Sequence, residues 1–144
     1  MLALLTVLSV SRTLVWMTEK SLWTEAVERA PHKVRPKIQL ARALPAGPGL
    51  ELLEKARTEA PNHAGIAAEV GRILLAQGQP DAALTEFGRA LALDPTDARN
   101  VNNRGVALME LGQTEAARAD FTRALRIDPN FTEAKQNLEK LQAQ

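Results

Sequence analysis

Two 34-residue stretches, Ala64–Asp97 and Ala98–Phe131, align end to end without a gap. Thirteen positions are identical, among them Gly71 with Gly105, Leu74 with Leu108, Gly78 with Gly112, Ala83 with Ala117, Phe87 with Phe121, Ala90 with Ala124 and Pro95 with Pro129. A repeat of this length is one supersecondary unit, too small to bury its own apolar face, so neighbouring units must stack. The repetition itself is therefore expected to be the core.

Each matched position has a physical task. Gly71 and Gly105 fall inside the first helix of their unit, where Gly costs about 1 kcal/mol relative to Ala. That cost is expected where a neighbouring helix comes close. Gly78 and Gly112 follow the helical run, where a left-handed residue ends a helix. The A-x-x-x-F-x-x-A spacing then sets Ala, Phe and Ala on one face of a second helix. Pro95 and Pro129 stop that helix, since proline has no N–H to continue it. Each unit reads as helix–turn–helix, with its two helices antiparallel. Apolar content carried by Ala, Leu and Val, with 3% aromatic residues, suits helices and not sheets. The fold class is all-α.

These residues resemble the tetratricopeptide repeat, whose pattern is a small residue at position 8, Gly at 15, Ala at 20, Phe at 24, Ala at 27 and Pro at 32. Both units match at all six. They depart at position 4, with Ala67 and Val101 where the family usually has Trp, and at position 11, with Leu for Tyr. The resemblance implies a right-handed superhelical stack of antiparallel helical hairpins.

Outside the two good units the pattern frays. Leu53, Ala56 and Pro61 take the Phe, Ala and Pro positions of a shortened repeat, with Val34–Leu44 as its first helix and "PAGPG" at Pro45–Gly49 as a tight, broken connection. Trp23, Ala26 and Pro31 fit the second-helix template once more. At the other end, Leu138 and Leu141 line one side of an otherwise polar segment that reads as a solvating cap. The expected division is a hydrophobic N-terminal helix over 1–17, degenerate units over 18–63, full repeats over 64–97 and 98–131, and a capping helix over 132–144.

The opening "MLALLTVLSV" is apolar on all sides yet about half the roughly 20 residues needed to span a bilayer. Three readings stand: the end of a transmembrane helix begun upstream, an interfacial anchor, or a buried helix that completes the Trp23 unit. "SLWTEAVERAP" after a hydrophobic segment resembles the junction in multi-pass, glycosyltransferase-like membrane proteins that end in tetratricopeptide repeats. That second resemblance implies membrane association through residues 1–17, with the array on the extracytoplasmic side. Arg29, Lys33, Arg35, Lys37 and Arg42, with no acid among them, favour the opposite side, so orientation stays open. Without a membrane segment the expectation is a cytoplasmic chain. The basic run itself reads as a solvated helix face or as a contact for anionic lipid or an acidic segment.

Lys plus Arg number 18 and Asp plus Glu 17, so charge makes no case for nucleic acid. No Cys is present, which excludes disulfides, thiolate metal sites and a thiol nucleophile. His32 and His63 are too few for a His-rich metal cluster. His63 reads as a capping or surface residue, Glu51 and Glu54 as a solvated face, and no phosphate-cradling loop appears. No cofactor, metal or catalytic residue is expected, and the chain does not read as an enzyme.

Function is instead expected in the groove that the family resemblance implies, lined by positions 2, 5, 6, 9, 12 and 13 of the first helices. Those are Arg99, Asn102, Asn103, Val106, Met109 and Glu110 in the last repeat, and Gly65, Ala68, Glu69, Arg72, Leu75 and Ala76 in the middle one. Arg35, Gln39 and Arg42 follow from the shortened unit. Asn103 leads the candidates, because one amide offers a peptide both a donor and an acceptor. Arg35, Arg42, Arg72 and Arg99 give a basic lean suited to an acidic peptide or a carboxylate terminus. The expected function is protein–protein interaction through an extended peptide or partner helix. The alternative is a structural or oligomerising tail of a membrane-bound enzyme.

Overall fold

The computed structural model describes residues 19–142, and among the described residues there are eight helices and no strand. The apolar segment 1–17 lies outside them. Helical backbone over 19–29 (α1) is followed by α2 (Val34–Arg42) and α3 (Ala46–Glu59). A second compact unit begins after Pro61. It holds α4 (Ala64–Ala76), α5 (Pro80–Leu93), α6 (Ala98–Glu110), α7 (Thr114–Ile127) and α8 (Thr132–Gln142).

In the first unit α2 packs on α3, with Leu53 and Ala56 fully buried. Lys37 is buried too; its Nζ donates to Glu59 Oε2 at 2.5 Å. The basic run is thus partly neutralised by flanking acids, since Arg29 also pairs with Glu25. One expectation needs correction. The first helix of the shortened repeat ends at Arg42, and only Ala43–Pro45 form the connection, because Ala46–Gly49 are already the first turn of α3. The reason is local: first-turn N–H groups have no intrahelical acceptor, so Pro48 sacrifices nothing there. Pro45 sets the entry, and its carbonyl accepts the first bond, from Gly49 N at 2.9 Å.

The second unit explains the repeated residues. A Cβ on Gly105 would lie 2.7 Å from Phe121 Cε1, and one on Gly71 would lie 2.9 Å from Phe87 Cε1. Each Phe ring occupies the space that any other first-helix residue would fill. Gly78 and Gly112 adopt φ of 70° and 71°. Beyond each, the next N–H reaches back five residues, Gln79 N to Leu74 O at 3.0 Å and Gln113 N to Leu108 O at 2.9 Å. These bonds satisfy carbonyls that a helix end leaves open.

Core clusters join successive hairpins. Ala83 and Phe87 of α5 pack with Ala107 of α6; Leu108, Ala117 and Phe121 pack with Leu141 of α8. Leu91, Val101, Ala124 and Ala134 make a third, drawn from four helices. Burial of Phe87 and Phe121 is complete, and it depends on the neighbouring hairpin as much as on their own. Helix α8 closes the stack with Ala134 and Leu141 inward and its remaining exposed positions polar.

Candidate functional site

Helices α4, α6 and α8 run parallel, since α5 and α7 reverse the chain between them, and they touch in succession. On α6, Arg99, Asn103, Val106 and Glu110 are spaced by four, three and four residues, which aligns them within about 60° of one helix face. Arg99 and Glu110 are exposed, while Asn103 and Val106 are half-buried. The side chains of Arg99, Asn103 and Glu110 make no ion pair or hydrogen bond with any described residue. Val106 also packs against the Leu108–Phe121 cluster, as does Met109.

Asn102 lies elsewhere. It is buried, and its Oδ1 accepts from Asn137 Nδ2 of α8 at 3.0 Å. Of the two adjacent asparagines, one joins the cap to the stack and the other keeps its amide unengaged. Asn137 escaped the sequence reading, although it stands 34 residues after Asn103 and α8 begins 34 residues after α6. The register of a third first helix was there to be read.

Glu69 is 2% exposed, and its Oε1 accepts from Arg72 Nε at 2.8 Å and Nη2 at 2.5 Å. Arg72 remains about half exposed, but its charge is answered by its own helix neighbour. This removes one arginine from the expected basic lean. Arg35 and Arg42 are exposed on α2 in the first unit. Arg99 lines a shallow cleft with Asp97, Ala98, Asp128 and Phe131. Asp97 caps α6 there: Oδ1 accepts from Arg99 N at 2.9 Å and Asn100 N at 3.1 Å, and Oδ2 from Asn100 Nδ2.

Arg104 was not anticipated either. It donates from Nε and Nη2 to the two carboxylate oxygens of Asp120, both at 2.7 Å, and so bridges α6 to α7 beside the candidate stripe. The hydrogen bond to Asp120 raises the guanidinium pKa, with burial pulling the other way. A sequence signal existed, since Arg104 and Asp120 share the sixteen-residue offset of Gly105 and Phe121. The pair ties α6 to α7 one residue from Asn103.

Among the described residues no group of three or more His, Cys, Asp or Glu is placed to hold a metal ion. His63 occupies the N-cap position of α4, exposed, without a capping hydrogen bond. No helix among the described residues is long and apolar enough to cross a membrane.

A tetratricopeptide repeat family model matches residues 69–130. No curated protein matches the chain in sequence. Among solved structures, the thermophilic TPR protein TTC0263 of Thermus thermophilus superposes with a TM-score of 0.81 at 16% identity, covering 92% of this chain and 76% of its own. YrrB, a TPR protein with an unusual peptide-binding site, gives 0.72 at 22% identity over 84% of this chain and 64% of its own. The first TPR domain of Spaghetti (RPAP3), bound to an HSP90 peptide, gives 0.66 at 17% identity over 89% and 90%. With the 34-residue hairpins, the glycine–phenylalanine contacts and the turn glycines, these likenesses place tetratricopeptide repeats within residues 69–130 and give the chain an all-α helical-repeat fold.

Proposed function

We propose that the face formed by α4, α6 and α8 binds an extended segment of a partner protein. The observation that carries this reading is Asn103: a half-buried amide, unengaged within the described residues, in line with an exposed arginine and a half-buried valine. Such an amide can donate to a peptide carbonyl and accept from a peptide N–H at once. Peptide-bound and peptide-binding proteins among the fold neighbours support it. In this reading residues 64–97 and 98–131 supply the binding helices and 132–144 the cap. Arg72, Arg99, Val106 and Glu110 flank the bound segment, with Glu69 holding Arg72 in place. Asn102 supports the cap, and Arg42 belongs to the first unit, outside this face.

The test is a peptide array probed with the 144-residue chain. Asn103→Ala should weaken the retained peptides by up to about tenfold, the worth of one or two hydrogen bonds. Circular dichroism should remain unchanged. A matched loss of helicity would assign Asn103 to the fold instead.

A further inference from the structure

Helix α6 carries its exposed charges the wrong way round. A helix N-terminus favours anions and its C-terminus cations. Helices α7 and α8 comply, with Glu115 and Glu133 in their first turns and Arg126 and Lys140 in their last. In α6 the N-cap Asp97 supplies the anion at the N-terminus, but within the helix the exposed charges run the other way, with Arg99 its second residue and Glu110 its final one. Both are exposed, and neither finds an ion-pair partner among the described residues. Two exposed charges on one helix face, each without an ion pair among the described residues, are available to a partner.

From these placements we infer that the stripe Arg99–Asn103–Val106–Glu110 selects an extended segment carrying a carboxylate and a cation about five residues apart. The spacing follows from geometry: eleven helical residues separate Arg99 from Glu110, about 16 Å, which an extended chain covers in about five residues. The amide of Asn103 and the side chain of Val106 lie between, for backbone and an apolar side chain. The charge of Arg72 is already met by Glu69, which argues against a uniformly acidic partner. Asp97 and Asp128 share a cleft with Arg99, but both oxygens of Asp97 serve the α6 cap, and Asp128 Oδ1 accepts from Asn130 N. Neither forms an ion pair with Arg99. The inference deepens the proposed function and rests on it.

Isomeric nine-residue peptides, acetylated and amidated, test it by fluorescence anisotropy against the 144-residue chain. One carries Glu and Lys five positions apart, the second carries them adjacent, and a third has Lys replaced by a second Glu. The spaced isomer should bind about fivefold tighter than the adjacent one at low salt. Arg99→Gln and Glu110→Gln should each erase that advantage and should melt no lower than the parent. Equal binding of the two isomers, with Asn103→Ala still weakening both, would overturn the charge spacing and leave the peptide groove standing. Tighter binding of the doubly acidic peptide would replace it with a simply basic site. No saturable binding by any of the three would remove the groove itself. Lower melting of either variant would return those charges to the fold.

Discussion

The contact between Gly105 and Phe121 shows how a single missing methyl group organises a hairpin. Alanine at 105 would favour the helix by about 1 kcal/mol. Its Cβ, however, would meet a fully buried ring at 2.7 Å, and such overpacking costs about 1–3 kcal/mol. Gly105→Ala should therefore destabilise, and Phe121→Ala should cost about 3–5 kcal/mol through the cavity it leaves. Together they should cost less than their sum, because the new methyl enters space the ring has vacated. Thermal melts of the four proteins measure this coupling. Strict additivity, or an unchanged melt for Phe121→Ala, would reject the packing described here. The sequence showed that these two positions matter in both repeats. It did not show that they touch each other, since the sixteen-residue offset gains meaning only once the helices fold back. Arg104 and Asp120 went unread for the same reason.

At the scale of the element, the turn glycines were the most legible features and the joint between α2 and α3 the least. Gly78 and Gly112 take positive φ because the chain must turn within two residues and only glycine does so without Cβ strain. Gly112→Ala should lower stability by about 1–2 kcal/mol. Gly112→Asn should cost less, since Asn tolerates the left-handed region. Equal losses in urea titrations of the two variants would mean that something other than φ sets the requirement. "PAGPG" misled because proline and glycine mark either a break or a first turn. Which one occurs depends on whether downstream residues such as Leu53 and Ala56 find a surface to bury against. Helix α6 adds that a capped N-terminus and a well-packed apolar face tolerate an exposed arginine in the first turn and a glutamate at the end.

Across the second unit, stability passes between neighbours. Helix α8 contributes Leu141 to the cluster around Phe121 and Ala134 to the cluster around Val101, and it reaches α6 through Asn137 and Asn102. Leu141→Asp should cost roughly 3 kcal/mol or more, by losing apolar burial and burying a charge. The loss should be graded: amide hydrogen exchange should rise first in α8 and α7, less in α6, and least in α4 and α5, because each hairpin leans only on its neighbours. Uniform acceleration would instead mean that the unit unfolds as one block.

The sequence by itself determined the repeat, its 34-residue length, the all-α class and the roles of Gly, Ala, Phe and Pro within each hairpin. These are local properties: propensity, helical periodicity and turn chemistry act over a few residues and are written in order along the chain. The family resemblance added candidate groove positions, on which the proposed function rests. Tertiary structure alone decided which of two adjacent asparagines stays unengaged and which cation bridges to the next helix. Those outcomes depend on the rotation of each helix against partners sixteen to thirty-five residues away, and no local pattern encodes that rotation.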